Sequence, residues 1–343
     1  KDPPNIARGF YYNVYIHHGE DDLFPNWWEN FQRTDRYGNP YLTLPSPYHT
    51  DKLNLAHEGF HVFQYQSNSP GFEYYGDSKY GDSKWYIESS AKWFASSKYP
   101  KENNAFLEAG AIEANPHLAL WHYFDNAAPG NTATMHTLLF YITEVFKIDR
   151  DVLTSGFYSN VDILPQEYIY KQAGGRKFRT AFADWAAHNV ADFDYLTRAQ
   201  VQIARAITEY VGDKNNFRPY VKVYTGNNIP VKNVSPSGSL LPRGWSYNVV
   251  KVNNLLHSTY KFIIKGEKFG SEGALSRLEG RIVIVGDTTK FLNVKMKNNV
   301  NGKIQLSVDE SDKEIYLIVA ATPNHYTGNQ KYGYSFTIEH AFE

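Results

Sequence analysis

His57-Glu58-Gly59-Phe60-His61 is the stretch of this chain best suited to chemistry. On a helix, side chains four residues apart stand on one face, one turn above the other. Two imidazoles at that spacing can bind one metal ion, and Glu58 between them can reach a metal-bound water. Zinc suits these donors, and a catalytic zinc needs three protein ligands and an open fourth position. The third ligand must come from elsewhere. Glu88 stands among Trp85, Ala91 and Phe94. A carboxylate in such company is costly unless it is paired or bound to a metal. Its alternative is a helix salt bridge to Lys84 or Lys92, each four residues away. The ligand role is preferred, so His57, His61 and Glu88 are the expected metal ligands and Glu58 the general base. The pentapeptide also has a plainer reading, as two surface histidines on an amphipathic helix. Leu53, Leu55, Ala56, Phe60, Val62 and Phe63 argue against it, because they make the segment apolar nearly all round, as in a buried helix.

Local signals predict the elements that must position these groups. Thr50 and Asp51 are candidate N-caps for the motif helix. Residues 84–98 read as a second helix, with Glu88 near its centre. Residues 10–16 and Tyr41–Leu44 read as strands, the second closed by Pro45 and Pro47 and expected to offer an edge to an extended substrate. Between them, His17, His18, Glu20, Asp21 and Asp22 read as a solvated turn, since ligand spacing is missing. Residues 67–84 are rich in Gly, Ser, Tyr and Asp and contain a tandem repeat, Gly76–Tyr80 and Gly81–Trp85. They are expected to form a flexible loop near the site mouth, with Asp77 and Asp82 lacking a complete calcium loop around them. Further helices are expected over 103–125, interrupted near Pro116, and over 133–147, 177–190 and 195–211, with a turn at Gly174-Gly175.

H-E-x-x-H followed by Trp85-x-x-Glu88-x-x-Ala91 resembles the gluzincin metallopeptidases, whose third zinc ligand is the Glu of the second helix. More closely, His57 to Gln64 together with Trp85 to Trp93 resembles a poorly characterised group of secreted bacterial gluzincin-like proteins. Phe182 to Asn189 resembles a later helix of that group, so the resemblance runs from about residue 41 to 200. Two features depart from the pattern. The gap from His61 to Glu88 is longer than the usual spacer, and Lys92 stands where some members carry an acid that supports a histidine ligand. The resemblance implies a zinc-dependent metalloendopeptidase, secreted to the periplasm or the extracellular space. It leaves an oxyanion donor to be supplied, for which His136 or Tyr141 on the 133–147 helix are candidates.

The 343 residues suggest two domains. With 42% apolar and 21% charged residues the composition is that of a globular chain. The net charge of −1, without long runs of one sign, gives no reason to expect nucleic acid or an anionic membrane as partner. No apolar stretch is long enough to span a bilayer. The absence of cysteine excludes thiolate ligands, a Cys nucleophile and a disulfide framework. Lys1 opens the chain without a signal-peptide pattern, as in a mature form, a trimmed piece or a cytosolic protein. The fold expected is α+β: a mainly helical gluzincin-like domain with a small N-terminal sheet over 1–212, a linker over 213–239, and an antiparallel β-sandwich over 240–343. That sandwich, with strands predicted at 245–252, 260–264, 281–285, 291–296, 303–308, 315–320 and 334–339, is expected to fold alone. Aromatic residues make up 16% of the chain. They keep open a carbohydrate-active metal enzyme, with Trp27, Trp28, Tyr74, Tyr75 and Tyr80 as stacking faces. A binding protein with a degenerate zinc site is the other alternative. A protein or peptide substrate is preferred, because the motif matches water attack on a peptide carbonyl. Nothing in the sequence sets the oligomeric state.

Overall fold

The structure is a computed structural model in which residues 12–17, 31–34, 36, 40–71, 83–107, 109–120, 135–157, 163–211, 221–324 and 330–341 are described. The turn residues His18, Glu20, Asp21 and Asp22, the aromatic candidates Trp27, Trp28, Tyr74, Tyr75 and Tyr80, and most of the Gly/Ser/Asp-rich loop with Asp77 and Asp82 lie outside the described residues.

Three short strands, β1 (Asn13–His17), β2 (Phe31–Thr34) and β3 (Pro40–Pro45), form the N-terminal sheet. β3 lies in the middle, parallel to β1 and antiparallel to β2. Leu42 and Leu44, two apart and therefore on one face, are fully buried and pack on Val62 of helix α1 (Lys52–Gln66). The edge expected from Tyr41–Leu44 is corrected here. Both flanks of β3 already carry a paired strand, so its backbone is closed to a substrate.

Asp51 caps α1, its carboxylate accepting from the backbone N–H groups of Leu53 and Asn54 at 3.0 and 3.1 Å. Next come α2 (Lys84–Lys98), α3 (Ala109–Ala114) and α4 (His136–Phe140), which continues as a π-helical turn over Tyr141–Val145. α5 (Pro165–Gln172) opens with proline in its first turn, where the missing N–H costs nothing. Gly174, at φ +73°, makes the break before α6 (Gly175–Val190), and α7 (Arg198–Val211) follows. α1 and α2 pack side by side through a cluster of rings: Phe60 stacks on Phe94 at 4.9 Å and meets Trp93 edge-on at 6.3 Å.

The remaining strands are β4 (Lys222–Thr225), β5 (Val231–Val234), β6 (Ser246–Asn253), β7 (Thr259–Gly266), β8 (Leu278–Val285), β9 (Thr289–Lys297), β10 (Asn301–Ser307), β11 (Glu314–Ala321) and β12 (Tyr334–His340). They form one sheet in the order β4-β6-β11-β8-β9-β10-β7-β12-β5. This corrects the expected fold class. The described residues are about 35% helix and 30% strand, hence not mainly helical, and their large sheet is a single curled layer of nine strands. The pairing of β9 with β10 joins the halves that a sandwich would keep separate, and β4 runs parallel to β6. Both edge strands come from the stretch expected to be linker. They are four residues long and flanked by Gly, Asn and Pro, so local pattern gives little sign of them.

Curling lets the sheet enclose its own core. Val250, Ile282, Leu317 and Val319 from one half meet Phe262, Ile264, Phe336 and Ile338 from the other. On the opposite face, Trp245, Tyr247, Val249, Val283, Tyr316 and Ile318 share a core with the helices. Successive residues of β11 thus point alternately into two apolar interiors, which is why Ile315–Ala321 reads as an unbroken apolar run. α6 supplies much of the cover. Phe178 and Phe182 meet Trp245 at 4.8 and 5.4 Å, and Arg281, almost fully buried on β8, donates to Asp184 at 2.6 Å.

Candidate metal centre

His57 and His61 stand one turn apart on α1, and Glu88 reaches them from the second turn of α2. The Nε2 atoms of the two imidazoles are 2.9 Å apart. Glu88 Oε2 lies 3.4 Å from His57 Nε2 and 3.3 Å from His61 Nε2. These are the three residues that sequence spacing selects, and they are the cluster with metal-ligand geometry found among the described residues. The three donor atoms lie within 3.4 Å of one another, close enough to be shared by one small ion, and imidazole and carboxylate are donors that zinc takes. The donor set therefore fits zinc.

Without an ion the same groups pair with one another, which keeps Glu88 charged and makes His61 easier to protonate, so a metal binding there displaces a proton from His61. Burial raises the proton affinity of Glu88, but hydrogen bonds and charge from His57 and His61 outweigh it and hold the carboxyl well below the usual range. Burial works against a charged His61, and the Glu88 contact, with the charges of Glu88 and Glu58 and a bond to Gln64, turns the balance upward. Glu58 thus sits near enough to His61 to act on it. Its side chain is buried but lines a cleft of about 820 Å³ together with His57, Glu88 and Lys92. The helix periodicity explains this: His57, Glu58 and His61 span about one third of the α1 circumference. Gly59 faces the other way, where the Tyr12 phenol lies so close that a side chain would collide with it.

His136 and Tyr141 are not brought to this cleft. His136 is fully buried and stacks on Phe106 at 5.5 Å. Tyr141 is buried between His188 and Tyr195, with ring centroids at 5.2 and 5.3 Å. Burial, and then the charges of Asp184 and Asp194, raise its pKa far above the ordinary phenol range. Neither side chain is among the residues that line the cleft. Two further neighbours of the site are Lys92, read from sequence as a possible salt-bridge partner of Glu88, and Gln64, to which sequence reasoning gave no role. Lys92 lines the cleft, one turn beyond Glu88. Gln64 is fully buried with its Oε1 2.7 Å from His61 Nδ1. Its position three residues after His61, adjacent on the helix surface, is a signal that sequence alone carries.

No family model matches the chain, and no curated protein matches it. Among solved structures, the pre-peptidase C-terminal domain of a collagenase from Bacillus anthracis is similar at 15% identity, covering 36% of this chain and 98% of that one, with a TM-score of 0.22. A family GH115 4-O-methyl-α-glucuronidase specific for decorated arabinogalactans is similar at 11% identity, covering 75% of this chain and 40% of that one, with a TM-score of 0.21. Likenesses this slight carry no argument about fold or activity.

Proposed function

We propose that this chain is a zinc-dependent hydrolase, a metalloendopeptidase acting on polypeptide. The observation that carries the reading is the convergence of two imidazole nitrogens and one carboxylate oxygen within 3.4 Å of one another at the wall of a cleft that also holds Glu58. Zinc, when bound there, supplies a Lewis acid that lowers the pKa of a water ligand towards neutrality. His57 and His61, as neutral imidazoles, and Glu88, as the single anionic ligand, would hold the ion. Glu58 accepts a proton from the attacking water and passes it to the leaving amine.

The composition of the cleft supports peptide over glycan. Leu53, Leu107 and Ile203 give it a small apolar patch of the kind a peptide side chain fills. Extended substrate backbone cannot pair with β3. β2 contacts α1 and has no strand on its outer side among the described residues, which makes it the edge to test.

The test is to incubate the zinc-loaded protein with mixed denatured proteins and, separately, with a panel of polysaccharides. New peptide termini are expected, abolished by chelator and reduced at least about 100-fold in Glu58→Gln, which keeps shape and metal but lacks the base. New chain ends from polysaccharide alone would overturn the substrate assignment. No cleavage of either by protein with measured zinc would leave a metal-binding protein and overturn the hydrolase.

A further inference from the structure

We infer that Gln64 is the positioning residue of the metal centre: it selects the tautomer of His61 and ties that ligand to the turn of α2 that carries Glu88. The inference rests on the metal-site reading above and adds a residue to it.

Backbone carbonyls of α2 have fixed hydrogen-bonding roles. The Ile87 carbonyl can only accept a hydrogen bond, and a Gln64 amide atom lies 3.0 Å from it. That atom must therefore be the amide nitrogen. The same nitrogen donates its second hydrogen to Ser90 Oγ at 2.7 Å, and Ser90 Oγ in turn donates to the Tyr86 carbonyl at 2.7 Å. With both amide hydrogens committed to α2, the other end of the amide is oxygen, and it faces His61 Nδ1 at 2.7 Å. An amide oxygen only accepts, so Nδ1 carries the hydrogen. A neutral imidazole protonated at Nδ1 has its lone pair at Nε2. Nε2 is the atom that meets His57 Nε2 and Glu88 Oε2. One chain of donors and acceptors, anchored on two carbonyls of α2, thus decides which nitrogen of His61 is available to a metal.

The placement of the anchors matters as much as their direction. Ile87 immediately precedes Glu88, and Ser90 follows it by two residues, so Gln64 holds the backbone carbonyl just before the third ligand and the Ser90 hydroxyl just after it. Gln64 and Ser90 are both fully buried, so water does not compete for these bonds. The partner of His61 is neutral. Carboxylates are common in that place and add basicity to the ligand. Gln64 orients His61 without adding a second negative charge beside Glu88, which leaves a bound ion more electrophilic.

Two variants of the full chain test this, Gln64→Met and Ser90→Ala, with zinc itself as the probe. Zinc affinity is measured by competition with a chelator, and the His61 tautomer by nitrogen-15 NMR of the apo and zinc-loaded protein. At a pH above the raised His61 pKa, where the imidazole is neutral, wild type should show His61 protonated at Nδ1 alone before zinc is added. Gln64→Met should lose that single tautomer and bind zinc about 10- to 100-fold more weakly, the range for groups that hold a metal ligand in place. Ser90→Ala removes one anchor and keeps the acceptor. It should retain the tautomer and weaken zinc about fivefold, as loss of one hydrogen bond does. Lower thermal stability with unchanged zinc affinity in both variants would mean that Gln64 only packs the helices, and would overturn the inference. If Gln64→Met does not fold, unchanged affinity in Ser90→Ala overturns it. A wild type that binds no zinc defeats the metal reading instead, while the apo tautomer still reports on Gln64.

Discussion

Glu88→Gln should nearly abolish the stabilisation that zinc confers. Gln keeps the size of a side chain that is only 20% exposed and replaces the one negative charge among the three ligands. Groups that merely orient a metal ligand contribute about 10- to 100-fold in affinity, so loss of a ligand and its charge should weaken binding by at least about 100-fold. At a free zinc concentration about 100 times the wild-type dissociation constant, mass action stabilises the wild type by about 2.7 kcal/mol and such a variant by about 0.4 kcal/mol. In a large chain each kcal/mol moves the midpoint by about 2 °C, so the zinc-induced rise should be about 5 °C in the wild type and about 1 °C in Glu88→Gln. Scanning calorimetry with and without zinc reads both. The comparison within each protein removes the separate effect of breaking the His–Glu88 contacts in the zinc-free state. Equal zinc-induced shifts would refute the ligand assignment and would require another oxygen, with Glu58 the nearest candidate, to complete the site.

Two further outcomes follow from the rest of the chain. His117 accepts at its carbonyl from Arg243 N–H and from the Ser246 hydroxyl, at 3.1 and 3.0 Å. Burial, with Arg243 and Lys331 nearby, lowers its pKa to about 4. The unfolded chain then binds the proton more readily than the folded one, so stability should fall as pH drops from about 6.5 to about 4. His117→Gln should flatten that part of the stability profile, and an unchanged slope would exclude His117 as its source. The fragment 240–343 lacks β4 and β5 and exposes Trp245, Tyr247 and Tyr316, which α6 and its neighbours cover in the intact chain. It should unfold at a lower temperature than the intact chain and bind a hydrophobic dye, and a matching midpoint without dye binding would show that the helices add nothing to the sheet.

What the sequence determined by itself are the features that local geometry imposes. His57, Glu58 and His61 had to share a helix face once Asp51 capped a helix there, because 3.6 residues per turn leaves no other arrangement. Glu88 was legible as a carboxylate too costly to bury alone, and alternating or continuous apolar runs between turn signals marked the seven strands β6 to β12. Tertiary structure decided whatever depends on which elements meet. The strands Tyr41–Leu44 and 231–234 carry no sign of being, respectively, the middle of one sheet and the edge of another, since strand order is set by partners far away in the chain. His136 and Tyr141 lie on a helix whose exposed-looking positions turned out to be buried, because the helix packs on several sides and its periodicity does not say against what. The role of Gln64 came from the same source. An uncharged amide gives no electrostatic signal in a sequence, and its three hydrogen bonds exist only because α2 packs against α1 with Ile87 and Ser90 turned towards it.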